Sequence, residues 1–161
     1  SNNPIVGKAN FPGLMLGTII NQTIDIDGSM SALPIQKVAD PSKPLWFIDL
    51  DIDDATIDPF DVEHVCIYLN TAHPAFKYLE KNDSSSVFLQ NEVMASALTH
   101  IISYVQTLPE WDSIYGGENL EEGSIGAAIF YFKSTFNWNF ESPTLLSESI
   151  RSYFDSLGGE S

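Results

Sequence analysis

Alternation of apolar and polar positions runs through the first half of the chain, and three- to four-residue periodicity through the second. In residues 14–27 (LMLGTIINQTIDID), Ile20, Gln22, Ile24 and Ile26 share one parity, while Asn21, Thr23, Asp25 and Asp27 share the other. That pattern predicts a half-buried strand with one wet face, closed by the turn signal Asp27-Gly28. Residues 33–38 (LPIQKV) predict a short partner strand, with Pro34 suited to an edge or a strand start. Residues 39–44 (ADPSKP) read as a turn. Residues 45–53 (LWFIDLDID) alternate again, with Phe47, Asp49, Asp51 and Asp53 on one side and Trp46, Ile48, Leu50 and Ile52 on the other. An acidic loop over 54–61 leads to a fourth strand, 63–69. Its Val65, Cys66, Ile67, Tyr68 and Leu69 are apolar on both sides, as a central strand requires.

Asn70, Thr71 and His73 form a turn that hands over to Pro74, whose missing N–H suits the first position of a short helix over 74–81. The serines 84–86 offer an N-cap for a long helix, 86–108, ended by Pro109. Met94, Leu98, Ile101, Val105 and Leu108 recur at helical spacing, and Val93, Ala97, Ile102 and Tyr104 widen the stripe, predicting burial around much of the helix. Residues 109–123 read as a loop with room for one helical turn. A third helix over 124–138 carries Ile125, Ala128, Ile129, Phe132 and Phe136. A last helix starts at Ser142-Pro143, with Ser142 as cap, and runs to Leu157 with Leu146, Ile150 and Phe154 on its apolar edge. Gly158-Gly159 permits the left-handed backbone that ends helices. Strands first and helices later predict a single α+β domain over residues 1–161: an antiparallel sheet of about four strands, covered on one face by three to four helices. Residues 1–12 read as an irregular arm or a cloning remnant.

Composition narrows the function classes. The chain has 161 residues, 43% of them apolar, which suits one folded domain and excludes a disordered chain. Cys66 is the only cysteine, so no disulfide framework exists. No apolar run reaches membrane-spanning length. Seven Lys and Arg stand against 22 Asp and Glu, a net charge of −15. No Lys or Arg occurs between Lys43 and Lys77 or between Lys81 and Lys133. Nucleic-acid binding requires a basic stripe, and an anionic membrane would repel this surface. A basic protein or a divalent cation would be attracted. No signal-peptide pattern opens the sequence, so a cytoplasmic setting is expected.

Two clusters invite chemistry. Asp49, Asp51, Asp53, Asp54, Asp58, Asp61 and Glu63 fall within fifteen residues with no base among them. On a strand the first three share a face at steps of about 6.6–7 Å, where carboxylates can share Mg²⁺, Ca²⁺ or Mn²⁺. Asp49, Asp51 and Asp53 are therefore candidate metal ligands, with His64 as an added base. The competing reading is an acidic strand face that blocks edge pairing. The EF-hand pattern fails: counted from Asp49, the required Gly is Asp54 and the required Glu is Phe60. His64, His73 and His100 lack zinc spacing, and neither a nucleophile elbow nor a phosphate-binding glycine loop occurs. The second cluster is aromatic. Phe130, Tyr131, Phe136, Trp138 and Phe140 crowd one segment together with Phe132. One helical stripe cannot hide them all, so they are candidate contact residues for a partner or a second copy.

The run Cys66-Ile67-Tyr68-Leu69-Asn70-Thr71-Ala72-His73-Pro74-Ala75-Phe76 and the helix after it, about 63–105, resemble a segment toward the C-terminal end of bacterial Hsp90-like (GHKL-type) ATP-binding proteins. The Asn-bearing helix and the Asp-x-Gly-x-Gly loop of that family's nucleotide site are missing; Asp25-Ile26-Asp27-Gly28 is not that loop. The resemblance thus implies an accessory or transducing piece of an ATPase-like assembly, with no catalytic residue. Three functions follow as expectations: a non-catalytic protein-interaction domain with no cofactor, a divalent-metal-dependent enzyme using the 49–63 carboxylates, or an acidic, immunity-like inhibitor of a basic partner.

Overall fold

The computed structural model describes residues 33–158. The predicted strand over 14–27, its Asp27-Gly28 turn, the 1–12 arm and Gly159 lie outside that range. Three strands form one sheet: β1 (Ile35–Val38), β2 (Trp46–Leu50) and β3 (Val65–Asn70), in the order β1-β3-β2. β3 takes the centre, as its two-sided apolar sequence requires. β2 runs antiparallel to β3, pairing Ile48 with Ile67 and Asp49 with Cys66. β1 runs parallel to β3, pairing Ile35 with Ile67. The sheet is therefore mixed, which corrects the antiparallel expectation. The 39–45 turn carries the chain past the end of β3, so β1 and β2 flank a slot that the later strand fills.

β2 also stops at Leu50, short of residue 53. Asp51 N–H still reaches the His64 carbonyl at 2.9 Å, but the Asp53 and Asp54 N–H groups donate to the Asp58 carboxylate at 2.7 and 3.1 Å. A side chain inside the loop has taken donors that a longer strand would have needed.

The face made by Trp46, Ile48 and Leu50 with Val65, Ile67 and Leu69 meets the helices. A single turn, Pro74–Phe76, leads into α1 (Lys77–Glu80); α2 (Ser84–Val105), α3 (Trp111–Gly116), α4 (Ile125–Tyr131) and α5 (Pro143–Gly158) follow. The N-cap of α2 is Asp83, which accepts from Ser86 N–H at 2.8 Å, so the helix starts earlier than the serines predict. α2 buries Val93, Met94, Ala97, Leu98, Ile101, Ile102 and Val105 and packs on both β2 and α5. Gln90 and Gln106 extend from it to the Leu79 and Phe140 carbonyls, at 2.8 and 3.0 Å.

α4 is shorter than the predicted third helix. Ser124 caps it, accepting from Ala127 N–H at 3.0 Å. Beyond Tyr131 the backbone widens into a π turn, Phe132–Phe136, and Asn137 ends it at a left-handed φ of 62°. α5 matches its predicted start: Ser142 Oγ accepts from Leu145 N–H at 3.1 Å. Among the described residues no helix is long and apolar enough to cross a membrane.

Candidate functional site

The acidic β2–β3 loop is ordered by its own carboxylates. Asp58 gathers the Asp53 and Asp54 amides, and Asp54 accepts from both Thr56 N–H and Thr56 Oγ1, at 2.9 and 2.7 Å. Asp61 accepts from Glu63 N–H, and its Oδ1 lies 2.8 Å from His64 Nδ1. These bonds leave their mark on ionisation. The Asp54 and Asp53 amides hold the Asp58 carboxyl below its usual range, and the Asp61 carboxylate raises the His64 imidazole above its own.

A second acidic stretch is fastened to the first. Glu121 N–H donates to the Thr56 carbonyl at 2.9 Å, Phe60 N–H to Gly123 at 3.0 Å, Ile125 N–H to Asp58 at 2.8 Å and Gly126 N–H to Ala55 at 2.7 Å. An antiparallel bridge joins Pro59 to Ser124. Glu110, at the start of α3, reaches across to accept the buried Ala55 N–H at 2.7 Å. Gly126 permits this closeness, since a Cβ there would stand 2.9 Å from Ile114 and 3.1 Å from the Ala55 oxygen. The α3–α4 loop, with exposed Glu118, Glu121 and Glu122, thus lies along the 54–61 loop. Within this double loop Ile57 is 53% exposed. Ile57 is thus an exposed apolar side chain in a loop otherwise rich in carboxylates.

The candidate metal ligands are spread out. Asp49 lies in β2 opposite Cys66, whereas Asp51 and Asp53 follow the strand, so the shared face predicted for the three ends with Asp49. All three are exposed. Among the described residues no group of three or more His, Cys, Asp or Glu side chains is placed to hold one ion. His64, the proposed added base, is engaged with Asp61.

The aromatic candidates divide. Trp138 and Phe140 are buried, which corrects their expected place on a contact face; Phe130, Tyr131 and Phe136 are half-buried. Trp138 packs on Phe132 with ring centroids 4.8 Å apart, Phe140 stacks on Trp111 at 6.0 Å, and Phe136 stacks on Tyr153 of α5 at 4.4 Å. The π turn makes this possible by rotating successive rings toward different neighbours, so the rings find partners in α3 and α5 that a single straight helix could not have reached.

The 70–74 turn is a structural clamp. Asn70 is fully buried; its Oδ1 accepts from Asp40 N–H and Ala72 N–H, and its Nδ2 donates to the Asp40, Lys43 and Pro44 carbonyls. Thr71 donates to the Val38 carbonyl, and His73 Nδ1 accepts from Ala75 N–H where Pro74 begins the helical turn.

Sequence reasoning missed Ile57, Glu110 and the pairing of the two loops. Ile57 had a signal, as an apolar residue amid carboxylates without a periodic partner. The contact of Glu110 with residue 55 had none. Comparison of the chain with protein-family models, with curated proteins and with solved structures found no match.

Proposed function

We propose that the chain is a non-catalytic protein-interaction domain whose double acidic loop docks a basic surface on a protein partner. The supporting observation is the condition of the carboxylates. Asp54, Asp58 and Asp61 are tied to loop amides, ordered before any partner arrives, and Ile57 stands exposed in the same loop. A pre-ordered loop loses little entropy on docking, and a uniform charge raises the association rate with an oppositely charged partner. An inhibitor that covers a basic site fits the same chemistry, as does an accessory role in an ATPase-like assembly, to which the likeness over 63–105 points.

The test uses the immobilised chain to capture partners at low salt, alongside Ile57→Ser and the charge reversal Glu118→Lys/Glu122→Lys. Captured proteins should be basic and elute as salt shortens the screening length to about 3 Å near 1 M. Both variants should retain less of them. Capture that is indifferent to salt and to both variants overturns the proposal. The half-buried rings Phe130, Tyr131 and Phe136 support self-association as a second contact, read by light scattering over a concentration series. A metal-dependent enzyme built on Asp49, Asp51 and Asp53 predicts thermal stabilisation by Mg²⁺, Mn²⁺, Ca²⁺ or Zn²⁺ that Asp51→Asn removes; the interaction reading predicts none.

A further inference from the structure

The helices bury one face of the sheet. Register places Gln36, Val38, Phe47, Cys66 and Tyr68 on the other. None of the apolar residues on this second face joins the core packed under the helices. Yet it is not a wet face. Phe47 stacks on Tyr68 with ring centroids 5.0 Å apart, and Cys66 is 2% exposed. Burial, ahead of the neighbouring Cys66 and Asp49, pushes the Tyr68 phenol up to about 12. Gln36 lies on the outer strand β1, where an uncovered amide would turn to water; instead it is 3% exposed, and its Nε2 is buried without an acceptor. The 39–44 turn folds over the Asn70 end of this face. The rest calls for a cover that is apolar toward the sheet, polar toward water and supplied with carbonyls.

The chain carries such a segment close by. Thirty-two residues precede Leu33, and over 20–27 they alternate strictly, with Ile20, Ile24 and Ile26 on one parity and Asn21, Thr23, Asp25 and Asp27 on the other. Asp27-Gly28 supplies a turn between this stretch and β1. The five residues 28–32 reach at most about 17 Å, whereas the outer strands of a three-stranded sheet lie about 10 Å apart. The segment can therefore return across all three strands. A second copy would meet the repulsion of two bodies of charge −15. A segment tethered by so short a linker arrives at an effective concentration in the millimolar range.

We propose that the second face of the sheet is the docking surface for residues 14–27 of the same chain, which fold back over it with Ile20, Ile24 and Ile26 against Val38, Phe47 and Tyr68. The inference is independent of the acidic-loop proposal, which involves other residues. Methyl–aromatic NOEs in the full chain test it directly. The Phe47 and Tyr68 ring protons should show NOEs to methyls of Ile20, Ile24 or Ile26, and these should vanish when only contacts between labelled and unlabelled copies are recorded. Cys66 gives a second reading, since a covered thiol reacts only as the cover opens. Ile24→Asp should speed its alkylation at least about tenfold over the parent, with the helical circular dichroism retained. Thr23→Asp, on the polar parity, should leave the rate unchanged. If Ile24→Asp does not fold, the NOEs of the parent chain carry the test alone. Ring NOEs to none of the three isoleucines, ring NOEs only between copies, or equal alkylation rates in the two aspartate variants overturns the proposal.

Discussion

Asn70 joins three stretches of backbone through one buried side chain, using both its acceptor and its donors. Alanine there would leave several backbone groups without partners at a fully buried position, so Asn70→Ala should cost at least about 2 kcal/mol in denaturant unfolding. Asn70→Asp should be no milder, since it turns an amide donor facing three carbonyls into a second acceptor. An aspartate variant as stable as the parent would refute the clamp. His64 makes a prediction with a pH signature. Its bond to Asp61 raises its folded pKa above the ordinary 6.5, so the protonated pair stabilises the fold fully below that value. This contribution fades as pH rises through the raised one. The melting-temperature advantage of the parent over His64→Gln should therefore shrink from mildly acidic to alkaline pH. A constant or growing advantage would contradict the ion pair. The turn at Asn70 was legible from sequence, because Asn, Thr and Pro have local preferences. The reach of Asn70 to residues 40–44 was not, since nothing local encodes a contact across 30 positions.

At the scale of elements, the long, strongly periodic segments were legible and the interruptions were not. α2 and α5 follow their apolar stripes closely. β2 and α4 end early because other groups claim their backbone: the Asp58 carboxylate at one, the π turn at the other. The double loop rests on a staple of the same kind. Glu110→Ala would leave the buried Ala55 N–H without an acceptor and should cost about 1–3 kcal/mol. Glu110→Gln, which keeps an acceptor oxygen, should cost less. Equal losses would mean that charge matters here more than the hydrogen bond. The same pair separates the hydrogen bond from charge in partner binding, since both variants remove the charge and only the alanine variant removes the bond to Ala55.

For the whole molecule the dominant quantity is its net charge of −15. Such a surface repels itself, and salt relieves the repulsion. Raising ionic strength from 0.01 M, where screening reaches about 30 Å, to 0.15 M, where it reaches about 8 Å, should raise the melting temperature. A flat or falling response would place the acids too far apart to matter. The charge and the mixture of strands and helices were plain in the sequence; the parallel pairing of β1 was hidden, because strand direction depends on where the connection crosses. That crossing dictates an assembly order. Two outer strands emerge first from the ribosome and cannot zip to each other, because the space between them belongs to a segment still unsynthesised. Until residue 70 is free, both edges stand bare, a state prone to pairing with neighbouring chains. A nascent fragment ending before Val65 should accordingly aggregate or recruit chaperones, whereas one extended through Asn70 delivers the middle strand and its latch together.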